Sequence, residues 1–286
     1  MHKGKISLFF FFFYFLDFFS FSFLCSQYIK MFLYLIGLGI YDEKDISLRG
    51  LEILKNSDKV YAENYTNFFA EKFLRNLERI IGRRITLLSR SDLEERVDSL
   101  LKKIVKGKKD VALLVPGDPM IATTHVSIIL KANELGIKTK VIHSSSIYSA
   151  IAETGLHIYK FGQTASIPYP EKNYFPETPY KVLKENLNSG LHTLFLLDVK
   201  AEERKFMTVN EAIEILLNIE KRRKENVFKE ETLCLGVARI GSNDEIIKYG
   251  KAMKLIKENF GSPPHSFVVP GKLHFTEKEA LNRFLG

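Results

Sequence analysis

The sequence predicts an α/β fold organised as two successive α/β domains. Three observations carry that prediction. Short apolar runs alternate with amphipathic stretches across short polar connections, the pattern of strands and helices that build a parallel sheet. One run, Val111-Ala-Leu-Leu-Val115, is apolar throughout and ends at once in Pro116-Gly117-Asp118-Pro119-Met120, as a buried strand does on leaving a sheet into a rigid loop. Composition then turns rich in proline and aromatics between Thr164 and Pro179, a linker or lid, and a second set of strands follows.

With 286 residues, 45% of them hydrophobic, the chain is long enough for one large domain or two ordinary ones, and a disordered protein is excluded. The formal charge of +8 permits an anionic partner. The basic residues are scattered, however, and Lys221-Arg222-Arg223-Lys224 reads as a solvated helix end, so no stable nucleic-acid partner is expected. Cys25 and Cys234 stand far apart without metal-ligand spacing, which argues against a disulfide framework or zinc site and for a reducing cytoplasm.

Residues 1–30 stand apart. From Ile6 to Cys25 the run is nearly all Phe, behind Lys3 and Lys5, and taken literally is a signal peptide or membrane anchor. Asp17 interrupts it near the middle, where a carboxylate costs about 2.5–3.5 kcal/mol on insertion, and no small-residue cleavage site follows. The simpler expectation is a start assigned too early, with the natural chain beginning at Met31 and no membrane partner.

The first domain is expected over residues 31–143. Phe32 to Ile36 is a buried strand, Gly37-Leu38-Gly39 a turn at its carboxyl end, and Asp45 a candidate N-cap for a helix with Ile46, Leu48, Leu51 and Leu54 on its apolar face. The turn lacks the third glycine of a dinucleotide fingerprint, which weakens a Rossmann oxidoreductase. Lys59 to Ala62 is the next strand, with Glu63, Tyr65 and Thr66 at its carboxyl end. Helices over Ala70–Ile80 and Asp92–Val105 flank a short strand at Ile85–Leu88. In the loop after Val115, Gly117 permits a close backbone approach and Pro119 restricts Asp118. Asp118 either serves a ligand loop or, with Thr123, caps a helix from about Ala122 to Leu135, closed by Gly136; pattern alone leaves both open. Lys140 to His143 is a further strand. Ser144-Ser145-Ser146 after it either caps a helix at Ile147 or offers hydroxyls and amides to a polar ligand.

The second domain is expected over residues 144–286. Leu191 to Leu197 is a strand ending at Asp198, and Thr208 with Glu211 forms a capping box for a helix from Val209 to about Lys224. A strand over Thr232–Ala238 runs into Arg239-Ile240-Gly241-Ser242. His265 follows Pro263-Pro264, a rigid support that argues for a positioned ring.

Taken together, Leu33-Tyr-Leu-Ile-Gly-Leu-Gly-Ile-Tyr-Asp-Glu-Lys-Asp45, Pro116-Gly-Asp-Pro-Met120, Ala122-Thr-Thr-His125, Ser144-Ser-Ser-Ile-Tyr-Ser-Ala150, Gly155-Leu-His-Ile-Tyr-Lys-Phe-Gly162, Leu197-Asp-Val-Lys-Ala-Glu202, Pro263-Pro-His265 and Leu273-His274 resemble the diphthine synthase family, of the tetrapyrrole-methylase-like class of S-adenosylmethionine enzymes. The likeness runs from Met31 to about Leu281; the Phe-rich leader is foreign to it. It implies two α/β domains with S-adenosyl-L-methionine in the cleft between them, a homodimer, and methyl transfer to the amino group of a modified histidine on elongation factor 2. Archaeal members trimethylate that nitrogen to diphthine and eukaryotic members add a further methyl to the carboxylate. Carried onto this chain, the cofactor contacts fall at Ile40, Asp118, Ile121, Ser146, Ile147, Leu197, Ile240 and His265. The resemblance implies no metal and assigns no catalytic side chain; His265 is expected either to orient the cofactor or to help remove a proton. Rival readings are a methylase of small tetrapyrroles, a basic nucleic-acid-binding module and a Phe-anchored membrane protein.

Overall fold

Ten short strands fall into two five-stranded sheets that divide the chain in sequence order. The structure is a computed structural model and describes residues 31–63, 71–171, 175–200 and 203–285; the Phe-rich leader, Tyr65 and Thr66 lie outside the described residues. The first sheet holds β1 (Phe32–Gly37), β2 (Lys59–Glu63), β3 (Ile85–Leu88), β4 (Val111–Val115) and β5 (Lys138–Ile142), all parallel, in the order β3-β2-β4-β1-β5. The run Val111–Val115 forms the central strand and is buried at every position. Alternation assigns its side chains to two cores. Val111, Leu113 and Val115 pack with Leu35, Leu101 and Ile128 on one face, while Ala112 and Leu114 pack with Ile36, Leu54 and Leu77 on the other.

The helices that cover these faces are α1 (Leu48–Asn56), α2 (Glu71–Ile81), α3 (Arg90–Glu94), α4 (Val97–Gly107) and α5 (Val126–Glu134). Three expectations are corrected here. The helix expected over Asp92–Val105 is two, because Ser89 and Asp92 close a capping box that makes Asp92 the third residue of α3. Asp45 caps nothing: Ser47 accepts from Gly50 N at the start of α1, and the Asp45 carboxylate is used elsewhere. The helix after Pro119 begins at Val126 rather than Ala122, since Ala122 adopts φ 55° and the Thr123 hydroxyl turns back to donate to the Pro119 carbonyl at 2.6 Å. At the other end of α5, Gly136 takes φ 72° as expected of a helix stop.

After α6 (Ile147–Ala150), the second sheet is mixed rather than parallel. It comprises β6 (Ala165–Ile167), β7 (Thr193–Leu197), β10 (Leu233–Ala238), β11 (Ile246–Lys251) and β12 (His265–Val269), in the order β11-β10-β12-β7-β6, with only β6–β7 parallel. The stretch read as a linker thus contributes an edge strand and a buried Tyr169. A small ribbon, β8 (Val199–Lys200) and β9 (Lys205–Phe206), follows β7. Helices α7 (Thr178–Asn188) and α8 (Val209–Arg223) cover one face, the latter opened by the Thr208–Glu211 capping box; α9 (Ala252–Leu255) and α10 (Phe275–Leu281) complete the set. Phe195 and Phe267 pair across β7 and β12, with rings 5.9 Å apart, inside the core closed by Tyr180, Leu216 and Phe228. The basic end of α8 is not merely solvated: Arg223 pairs with Glu177 and Glu225, and Arg222 lies 3.9 Å over Phe175.

Glycine at position 236 is required by packing. A Cβ there would sit 2.3 Å from Phe260 Cζ and 2.8 Å from Val209 Cγ1. Gly236→Ala is therefore expected to destabilise the fold by about 1–3 kcal/mol through overpacking, read as a lower denaturant midpoint with an unchanged slope.

Candidate functional site

The carboxyl ends of β1, β4 and β5 are drawn together by backbone. Leu38 N donates to Val115 O at 2.9 Å, and Gly39 and Gly117 exchange two hydrogen bonds, of 3.3 and 2.9 Å, both with positive φ. At Gly37 a Cβ would lie 2.6 Å from Gly117 O and 2.7 Å from Ser144 Cβ, so the three loops meet with no room for a side chain. The Asp45 carboxylate accepts from Ile40 N and Tyr41 N, at 3.1 and 2.7 Å, and fixes the first loop.

Asp118 does the same for the second. It is 6% exposed; Oδ1 accepts from Met120 N at 2.9 Å, and Oδ2 accepts from Ser144 N at 3.1 Å and His143 Nδ1 at 2.8 Å. Its carboxylate thereby ties the β4 loop to the end of β5. Below it lies a pair that sequence reasoning missed. His125 and Glu63 are both fully buried, joined by a 2.8 Å hydrogen bond from Nε2, while Nδ1 donates to Pro119 O at 2.9 Å. The ring faces an acceptor on each side, an arrangement that favours its doubly protonated form. Burial pushes its pKa down, but the Glu63 carboxylate and the Pro119 carbonyl outweigh that and leave it raised above 6.5. His125 stood only as the last residue of Ala-Thr-Thr-His; its partner, 62 residues away, left no local signal.

From the second sheet come Leu197 at the end of β7, Arg239 and Ile240 after β10, and His265 at the start of β12. Arg239 spends its guanidinium away from the cleft, donating to Asp244 Oδ2 at 2.7 Å and Phe260 O at 2.9 Å. His265 accepts from Val209 N at Nδ1, 3.3 Å, and donates from Nε2 to Ser262 O, 3.2 Å. Burial lowers its pKa, and the ring is neutral with both nitrogens engaged. That geometry leaves it no free lone pair to take a proton while both hydrogen bonds are kept.

These loops enclose a cleft of about 250 Å³, and Ile40, Asp118, Ile121, Ser146, Ile147, Leu197, Ile240 and His265 all line it. Its walls are mainly apolar. Among the described residues no group of His, Cys, Asp or Glu is arranged to hold a metal, and no helix is long and apolar enough to cross a membrane.

The profile of the tetrapyrrole (corrin/porphyrin) methylases matches residues 32–256. The chain belongs to the tetrapyrrole methylase family. Within that family its relatives are diphthine synthases: that of Methanocaldococcus jannaschii is 47% identical over 251 residues, covering 87% of this chain and 97% of the relative. One from Methanococcus maripaludis is 48% identical over 249 residues, with the same two coverages of 87% and 97%. A solved diphthine synthase, 39% identical, superposes with a TM-score of 0.79 over 89% of this chain and 96% of that one. A provisionally assigned diphthine synthase from Entamoeba histolytica, 38% identical, gives 0.82 over 90% and 99%. The tetrapyrrole methylase fold and a methyltransferase of the diphthine synthase type thus account for most of the chain.

The Glu63–His125 pair has a measurable signature. His125→Leu removes the donor from Glu63 and from Pro119, and is expected to cost about 3–5 kcal/mol. Because the folded pKa of His125 lies above its unfolded value, the charged pair contributes fully below about pH 6.5 and is lost as pH rises through the folded pKa. Denaturant melts of the two proteins should therefore differ most below that pH, and the difference should narrow, without vanishing, as the pH is raised.

Proposed function

We propose that the cleft binds S-adenosyl-L-methionine and that the chain transfers its methyl to the amino nitrogen of an aminocarboxypropyl-modified histidine of elongation factor 2, repeatedly, to give diphthine and S-adenosyl-L-homocysteine. The observation that carries this reading is the convergence on the wall of one cleft of the eight positions to which the resemblance carries the cofactor contacts. Diphthine synthases at 47–48% identity support the substrate. The same resemblance implies two domains, taken here over residues 31–143 and 144–286, and a homodimer, and the sparse cysteines favour the cytoplasm.

The residues present fit the cofactor. Ile40, Ile121, Ile147, Leu197 and Ile240 offer apolar walls to an adenine ring, and strand-end backbone offers donors and acceptors. Among the described residues that line the cleft no cation is left free to oppose a sulfonium, since Arg239 is bound to Asp244 and His265 is neutral. When bound, the donor supplies an electrophilic methyl group. The protein's share is positional: the apolar walls exclude water, and Asp118, anchored to three partners, holds the loop that shapes the cleft. Among the described residues that line the cleft, the Asp118 oxygens and both His265 nitrogens are already engaged, which supports a reaction without a side-chain base. The accepting amine must then arrive uncharged.

Labelled methyl transfer to elongation factor 2 bearing the unmethylated modification should place label on that histidine, with mass giving the number of methyls. The rate should climb with pH through the pKa of the accepting amine, with no separate limb near the ordinary histidine value of about 6.5. Asp118→Ala, which releases both loop anchors, should weaken cofactor binding by calorimetry at least about tenfold, or about 1.4 kcal/mol. Cofactor binding without label on the factor would remove the substrate assignment, and turnover of a porphyrinogen in its place would establish the tetrapyrrole reading.

A further inference from the structure

The sequence shows its cations scattered; the fold gathers five of them. A groove of about 880 Å³ on the first sheet is lined by Lys59, Arg83, Arg84, Arg96 and Lys103 against two carboxylates, Asp58 and Asp92. Residues from β2, the turn before β3, β3 itself and α4 supply it, and none of its lining residues lines the cleft. Lys59 and Arg84 stand at the amino ends of β2 and β3, whereas the cleft forms at carboxyl ends.

The two carboxylates are largely spent. Asp58 accepts from Asp110 N at 2.9 Å, and Asp92 accepts from Ser89 N at 2.9 Å and pairs with Arg96 at 3.1 Å. Arg83 donates from Nη2 to Lys55 O at 2.7 Å, but its Nε is buried with no partner among the described residues. Lys59, Arg84 and Lys103 are exposed and make no ion pair among the described residues. Like charges so grouped repel one another unless an anion lies among them.

We propose that this groove binds phosphate groups displayed in series, as in a free polyphosphate or along an RNA backbone. Three of its five cations are arginines, whose planar forks match phosphate oxygens bidentately. The hydroxyl residues Tyr61, Thr86 and Ser99 line the same groove and add neutral donors of the kind that position phosphates. The volume exceeds the need of a single phosphate. This departs from the sequence expectation of no nucleic-acid partner, which rested on the scatter of cations along the chain and on the reading of Lys221–Lys224 as a solvated helix end.

The test uses the full-length protein, titrated with tripolyphosphate, with a short single-stranded RNA and with polyglutamate, while methyl transfer is followed on the same preparations. Binding of either phosphate probe should weaken steeply with salt. The triple variant Lys59→Gln, Arg84→Gln, Lys103→Gln should lower affinity at least about tenfold and flatten the salt slope by about two to three, with methyl transfer unchanged. Tripolyphosphate bound as tightly as RNA identifies a free anion as the source; RNA bound much more tightly identifies a nucleic-acid backbone. No saturable binding, an unaffected triple variant, or polyglutamate bound as tightly as the phosphate probes overturns the proposal.

Discussion

The hydrogen-bonded contact between Gly39 and Gly117 is the constraint on which the cleft depends. It joins the loops that leave two neighbouring parallel strands, and it forms only because Gly37 carries no side chain to separate Gly117 from Ser144. Everything placed on those loops inherits that closeness. Asp45 can then reach the amides of Ile40 and Tyr41, and Asp118 can reach the third loop at Ser144. Ligand-facing groups are thus set by the path of the backbone, which strand ends in an α/β sheet are suited to fix.

Histidine chemistry around this frame follows from partners rather than from burial alone. His125 is buried between two acceptors and its pKa is raised; His265 is buried between an amide donor and a carbonyl and is neutral. His192 repeats the neutral arrangement, accepting from Gly271 N and donating to Glu277, and its pKa is lowered, chiefly by burial. Glu277 in turn is brought down to about 2: burial opposes ionisation, but Lys160, two backbone amides and His192 overcome it. The first of these stiffens the loop beside the cleft and the last ties α10 to the body of the second half.

Much of this is legible in the sequence. The buried central strand, the proline loop, the capping box at Thr208 and the glycine stop at Gly136 each state their conformation within a few residues. Errors arose where a second local choice competed. Ser47 outbid Asp45 for the cap because the Asp45 carboxylate had a better use, and the strained φ at Ala122 delayed α5 by a turn. The mixed second sheet was not read, since strand direction depends on connections that hydrophobic pattern does not encode. Nor could Glu63–His125 or the five gathered cations be seen, because both are made by residues brought together only in three dimensions.

One contact across the cleft carries a consequence for how the halves fit. The side chain of Ile40, from the first half, occupies the space that a Cβ of residue 241 would take, with Cδ1 only 2.5 Å from that position. The two halves therefore lean on each other through a branched tip set against a bare backbone. Position 241 is closed to a side chain twice over, by the Ile40 tip and by its own φ of 80°, so the fit of the two halves at this point is set by the residue at 40 alone.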